Sequence, residues 1–260
     1  YFASLAKRGV KMGDQRHEAN NGLLSIAGSL QAHGHETTYL DLNYEEIHLH
    51  QRHGAYFTEA DVTGLLDQAI DGVEIVMLSA LTISFPIMKL CGRHIRQAYP
   101  GVHIMMGGIF ATLNPEKFSD LDDCFDVVVL GEGEEIVPRI VDMLARHDMD
   151  SLSSLEGIIW RDPVRGEHIM NPGQNFVSDL DALPFPAYEL MHGTNSVFRI
   201  FTARGCPFVC TFCSPAHMSG HRLRLINPER VIEQIEYVYR RFRVRDFVFG
   251  DLTFLGDEAH

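Results

Sequence analysis

Val102-His103-Ile104-Met105-Met106-Gly107-Gly108 is an apolar run interrupted by one histidine and closed by two glycines. Its neighbours Glu74 to Leu78 and Asp126 to Leu130 have the same character. A strand with one wet face alternates apolar and polar residues, so short runs that are apolar throughout describe strands covered on both faces. Helix-like segments, about Ile83 to Tyr99 and Glu134 to Arg146, follow the first and the third of these runs. Strand and helix in repeated alternation predict a doubly wound parallel sheet. Upstream, Leu23, Leu24, Ile26, Ala27 and Leu30 recur at helical spacing between Asn20 and His33, with Asn20 or Asn21 to cap the start and Gly34 to end it. Thr37 to Leu42 has strand composition and is followed by a polar stretch; Thr58, with Glu59 and Asp61 in the next turn, opens a further helix.

Downstream the pattern dissolves. From about Asp150 to Ser196 the chain reads as a connector with one hairpin, around Gly157-Ile158-Ile159-Trp160 and the Asp162-Pro163 turn. Leu183-Pro184-Phe185-Pro186 prevents regular structure. A new unit starts with Val197 to Thr202, passes through a cysteine-rich loop, enters a helix from Pro228 to about Arg243, and reaches a second parallel strand at Asp246 to Gly250. The expected division is 1–150, 151–196 and 197–260. Opening on Tyr1 and stopping at His260 soon after a strand, the sequence reads as a fragment cut at both ends.

Composition narrows the function classes. The 260 residues are 45% hydrophobic and 22% charged, a globular balance that excludes collagen-like and mainly disordered chains. No run approaches the roughly 18 apolar residues of a membrane span, and no signal-peptide core opens the sequence. A net charge of -13 repels a phosphate backbone, so a nucleic-acid partner is disfavoured. Five cysteines, three of them within eight residues, do not make a disulfide framework; they point to a metal and to a reducing, cytoplasmic setting. Cys91 and Cys124 stand alone and read as small buried hydrophobes. His48, His50 and His53, with His33 and His35 nearby, read as a solvated polar surface, and His17 as a loop histidine.

Arg204-Gly205-Cys206-Pro207-Phe208-Val209-Cys210-Thr211-Phe212-Cys213 has the spacing C-x3-C-x2-C directly after a predicted strand. Three thiolates on one loop can hold three irons of a 4Fe-4S cluster and leave the fourth iron to a ligand from outside the protein. The competing reading is a Cys3His zinc site with His217 as the fourth ligand; zinc loops usually use C-x2-C pairs and a second knuckle, neither of which is found. The spacing, with Phe212 before the last cysteine, resembles the radical S-adenosylmethionine (SAM) superfamily. That resemblance implies a βα barrel, SAM chelated at the open iron, and reductive cleavage of SAM to methionine and a 5'-deoxyadenosyl radical. It extends over His221 to Arg224, Asn227 to Ile232 and Phe249 to Phe254, and makes Gly250 and Asp251 candidates for contact with the SAM amino group, an ordinary turn being the alternative.

In a doubly wound sheet, ligands sit beyond the carboxyl ends of the strands, here Ser79 to Thr82, Gly107 to Thr112 and Gly131 to Glu135. Gly131-x-Gly133 lacks the third glycine of a dinucleotide fingerprint, and no phosphate-loop motif occurs. Residues 1 to about 150 instead resemble the cobalamin-binding domain found ahead of many radical SAM barrels, through Ser79-x-Leu81, Gly107-Gly108 with Ala111-Thr112, Asp126 to Val128 and Gly131 to Glu134. The resemblance implies a Rossmann-like cobalamin domain, with Ser79, Leu81, Gly107 and Gly108 lining a pocket for the cobalamin tail and Thr112, Gly131, Glu132 and Gly133 also at the cofactor. The D-x-H-x-x-G motif that ligates cobalt from below is absent, Asp14-Gln15-Arg16-His17 with Gly22 having the wrong spacing. The implied reaction is methyl transfer to an unactivated carbon of a small-molecule substrate, with ring closure or rearrangement as in magnesium-protoporphyrin monomethyl ester cyclases as the alternative, and an electron donor such as flavodoxin or ferredoxin. A non-catalytic cobalamin or redox sensor is the reading from another class.

Overall fold

The computed structural model describes residues 20–54, 56–118, 124–191 and 197–254. Strands β1 (Ile75–Ser79), β2 (His103–Gly107) and β3 (Val127–Val129) are parallel neighbours, with Met77 beside Met105 and Met105 beside Val127. Alternate side chains of the Val102 run go to opposite faces, and both faces are closed: Ile104, Met105 and Met106 are 0, 2 and 1% exposed. On one face Leu78, Ile104, Met106 and Val128 pack on Val62 and Leu66 of α3 (Glu59–Ala69) and on Cys91 and Ile95 of α4 (Phe85–Ala98). On the other, Met105, Val127 and Val129 pack on Ile136, Ile140 and Leu144 of α6 (Ile136–Ala145) and on Leu30 of α1 (Asn21–Ala32). The short helix α5 (Ile109–Leu113) follows β2 directly.

Capping explains where helices start. Asn20 accepts a hydrogen bond from the Leu23 amide to open α1, and Thr58 with Asp61 forms a reciprocal capping box for α3. The Thr37 to Leu42 stretch is a correction: residues 37–41 form no strand among the described residues, and Leu42 already belongs to a helix. The Asp41 carboxylate accepts from the Asn43 and Tyr44 amides and starts helix α2 (Leu42–His53), which takes up the polar stretch and ends at Gly54 in the left-handed region. Within α2 the His48 ring meets Tyr44 edge-on, and His50 stacks on Tyr56. His17 lies outside the described residues. Cys91 and Cys124 are buried, and burial pushes the Cys91 thiol up to about 11.

The expected hairpin forms, and it extends the sheet. Strand β4 (Ile158–Arg161) pairs antiparallel with β3, and β5 (His168–Asn171) with β4, giving the order β1-β2-β3-β4-β5. The chain then returns along β3, where Asn175 bridges Gly131.

The second unit begins with β6 (Val197–Ile200), which pairs in parallel with β9 (Asp246–Phe249) across helix α8 (Pro228–Phe242). Between them, β7 (Ala203–Arg204) and β8 (Arg224–Leu225) form a two-residue antiparallel ladder at the base of the cysteine loop, and α7 (Pro215–Ser219) follows that loop. Phe198, Val238 and Val244 pack around Tyr188 together with Leu24, so α1 gives Leu24 to this core and Leu30 to the sheet. Gly28 permits the close approach, since a β-carbon there would collide with the Phe185 carbonyl.

Asp126 is a buried carboxylate at the start of β3, paired with Arg96 at 2.6 Å and accepting from the Ile104 amide at 2.8 Å, with His103 Nδ1 3.8 Å away. Burial raises its pKa, but His103, Arg96 and the Ile104 amide outweigh it and hold the carboxyl below its ordinary value. Because the folded-state pKa is depressed, this stability is present above about pH 4 and is lost as pH falls through the lower folded value. Asp126→Asn should cost about 2–4 kcal/mol in urea unfolding at neutral pH, and the gap from the parent chain should close in acid. Gly131 has φ +90, and a β-carbon there would collide with the Asn175 carbonyl. Gly131→Ala should therefore lose at least about 2 kcal/mol in the same assay.

Candidate functional site

The carboxyl ends of β1, β2 and β3 form one rim. Gly108 adopts φ +89 and presses against Ser79, whose hydroxyl would lie 2.6 Å from a β-carbon at position 108. The Thr112 hydroxyl donates to the Gly108 carbonyl at 3.0 Å and accepts from the Gly131 amide at 2.9 Å, tying the ends of β2 and β3 together. Gly107 is different in kind. Its backbone does not need glycine, and a β-carbon would meet only the Val129 carbonyl at 3.7 Å, so its smallness leaves open the space above the end of β2. Leu81, Ile83 and Ile109 are 52, 59 and 37% exposed around this rim. Large apolar side chains in water beside bare backbone suit a broad, partly apolar ligand. Ser79, Gly107, Gly108, Thr112 and Gly131 are thus adjacent, with Leu81 on the outer edge.

Glu132 and Gly133 point elsewhere. Gly133 lies beneath Ile26 of α1. Glu132 takes both guanidinium nitrogens of Arg224, at 2.6 and 2.8 Å, and the Val177 amide at 2.7 Å. Arg204 Nη1 approaches it to 3.7 Å. Glu134 accepts from Arg204 at 2.7 Å and from the Ser25 hydroxyl at 3.0 Å. Burial raises the Glu134 pKa, yet Arg204 prevails and holds the carboxyl below its usual range, while Arg204 itself is raised by the two carboxylates against its own burial.

Those two arginines flank the cysteines. Gly205, at φ +91, sits so close to the Arg222 carbonyl that no side chain fits. The Cys206 amide donates to the Gly220 carbonyl at 3.1 Å, and the Cys206 sulfur lies 3.1 Å from the Thr253 hydroxyl. Cys210 is exposed, Cys206 and Cys213 are half-buried, and Phe212 is 90% exposed. The donor set, three soft thiols on one loop, suits an iron–sulfur cluster. Among the described residues no three His, Cys, Asp or Glu side chains are gathered tightly enough to hold a metal, so this loop conformation presents the sulfurs without converging them. His217, the zinc alternative's fourth ligand, packs edge-on against His221.

Gly250 and Asp251 close the second strand. Gly250 fits against Arg199 and Phe201, and its amide donates to the Ile200 carbonyl at 2.8 Å. One Asp251 oxygen accepts from the Thr202 and Ala203 amides at 2.7 and 2.6 Å. Its other oxygen and the Thr202 hydroxyl are buried without a hydrogen-bond partner among the described residues. A buried carboxylate oxygen with no donor fits an incoming ammonium or hydroxyl group. Sequence reasoning did not find Thr202, Arg204, Arg224 or Thr253 as site residues. The glutamate–arginine partners are 70 and 92 residues apart, and spacing along the chain carries no sign of such pairs.

The B12 binding domain family matches residues 17–141. An uncharacterized methyltransferase of Pyrococcus horikoshii is 29% identical over 182 residues, covering 68% of this chain and 38% of the relative. The anaerobic magnesium-protoporphyrin IX monomethyl ester cyclase of Synechocystis is 26% identical over 238 residues, covering 88% and 44%. The chain spans less than half the length of these curated relatives. Among solved structures, the radical S-adenosylmethionine methyltransferase TsrM of Kitasatospora setae aligns with a TM-score of 0.66 at 17% identity, over 92% of this chain and 46% of its own. No helix among the described residues is long and apolar enough to cross a membrane. Residues 17–141 thus match a B12 binding domain that lies ahead of a cysteine loop set between parallel strands, and the chain is similar in sequence to methyltransferases and cyclases and in fold to a radical S-adenosylmethionine methyltransferase.

Proposed function

We propose that this chain is part of a cobalamin-dependent radical SAM enzyme that reductively cleaves SAM and transfers a methyl group to an unactivated carbon of a small molecule. The observation that carries the reading is the loop of three thiols, Cys206, Cys210 and Cys213, on the ladder between β7 and β8. A 4Fe-4S cluster held there would supply a single electron for reductive cleavage of SAM, while the chain's own residues would bind and orient. Cys206, Cys210 and Cys213 would hold the cluster, with Thr253 beside the Cys206 sulfur. Phe212 would cover the site when the loop closes. The unpartnered oxygen of Asp251 would receive the SAM amino group, with Gly250 keeping that strand end narrow. Ser79, Leu81, Gly107 and Gly108 would seat the cobalamin tail, with Thr112 and Gly131 holding the strand ends around it, while Glu132 and Gly133 would face the cysteine loop and α1 instead. Residues 1–150 would form the cobalamin domain, 151–196 the connector and 197–260 the start of the barrel. Electrons would come from a donor such as flavodoxin or ferredoxin in a reducing cytoplasm. Ring closure is the second reading, favoured by the similarity to the cyclase over 88% of this chain.

Anaerobic reconstitution of the full-length protein with iron and sulfide, followed by dithionite, SAM and cobalamin, should yield 5'-deoxyadenosine by chromatography. Cys210→Ala should abolish it while cobalamin uptake persists; full activity in that variant, or zinc in place of iron in protein purified without oxygen, would overturn the ligand assignment. Gly107→Leu should leave the sheet folded and weaken cobalamin binding at least about tenfold, followed by the corrin absorbance, because the added side chain occupies the space above β2.

A further inference from the structure

The four charges at the junction of sheet and cysteine loop form a single arrangement. Arg204 and Arg224 are register partners on the β7–β8 ladder, one just before the cysteines and the other after the short helix α7 that follows them. Their guanidinium groups run to Glu134 and Glu132, two residues apart at the end of β3. All four are removed from water, with side-chain exposures of 6% for Glu134, 11% for Glu132, 12% for Arg224 and 23% for Arg204. Arg224 donates further to the Ser219 and Val177 carbonyls, at 2.9 and 2.6 Å, so it also fixes the end of α7. From the sheet side Gln174 donates to the Met218 carbonyl at 2.6 Å.

We infer that Glu132 and Glu134 are positioning residues that lock the base of the cysteine loop onto the cobalamin-domain sheet and so set where the three thiols stand. Both ends of the loop are held by charge pairs that cannot be separated without leaving a buried ion alone, while the loop between them, with Cys210 and Phe212 exposed, makes few contacts of its own. An exposed loop adopts one place only as far as its base is held. Two carboxylates where a phosphate-binding turn would carry none are explained by this role. The inference deepens the proposed function and rests on it only for the identity of what the thiols hold.

The test uses Glu132→Gln, Glu134→Gln and Arg224→Lys in the full-length protein. The first two remove one charge each; the third keeps the charge and removes the bidentate geometry. In the metal-free protein, amide hydrogen exchange of the peptide containing Cys206 should rise about tenfold or more in the glutamine variants, while peptides from β1 and β2 stay at parental rates. Arg224→Lys should fall between parent and Glu132→Gln. After anaerobic reconstitution and reduction, the electron paramagnetic resonance signal should be weaker and broader in the same order. Exchange at the loop within about twofold of the parent, or equal acceleration everywhere, would overturn the inference. If the parent takes up no iron yet the loop exchange responds, the positioning role stands and the cluster assignment falls. If the parent takes up iron and the variants change neither exchange nor signal, the cluster stands and the positioning role falls.

Discussion

A charge taken out of water has to find its opposite, and at the end of β3 this requirement joins two pieces of chain that nothing else in their sequences connects. Glu132 and Glu134 are tolerable inside the protein because Arg224 and Arg204 reach them. The reverse also holds: neither arginine could stand beside the cysteine loop so far from solvent without those carboxylates. Apolar packing is indifferent to direction, whereas a bidentate carboxylate–guanidinium pair at 2.6 and 2.8 Å fixes both distance and orientation. The relation between strand end and loop base is therefore specified by geometry as well as by contact.

Around that junction the apolar surfaces divide the labour. The two faces of the sheet are closed by α3 and α4 on one side and by α1 and α6 on the other. Helix α1 then turns Leu24 toward Tyr188 and Phe198, in the core beneath β6 and β9. The Ala187 amide donates to the Leu24 carbonyl at 2.9 Å, made possible by Gly28. At the strand ends a β-carbon on Gly107 would meet only the Val129 carbonyl, and Leu81 and Ile109 stand exposed at the rim where doubly wound sheets bind their ligands.

What could be read from sequence follows the range of the interaction. Strands β1 to β3, helices α1, α3, α4, α6 and α8 and the parallel pair β6–β9 were readable because periodicity and caps are local signals. Thr37 to Leu42 misled because β-branched residues describe a tendency, whereas Asp41 accepting two amides starts a helix at the next residue. The polar composition of the stretch after Leu42 hid the helix that Asp41 caps and Gly54 ends. The cysteine spacing and the glycine pair located the two candidate sites. The arginines could not be paired with Glu132 and Glu134 in advance, since acidic and basic residues are common and only folding selects which ones meet. The chemistry of Asp251 was equally hidden: its carboxylate divides between holding Thr202 and Ala203 and an oxygen that takes no bond, a split only coordinates reveal.

The hairpin of β4 and β5 has a consequence for how such a domain can be reused. It lies beyond the segment matched to the B12-binding family, yet it supplies the pairing partner that β3 lacks on its outer side. Cut away at residue 150, the sheet would end in Val127, Val128 and Val129 with their amides and carbonyls bare, an invitation to fibril-like self-association. Recombination that moved this domain to another protein would have to carry the hairpin with it or furnish a substitute strand.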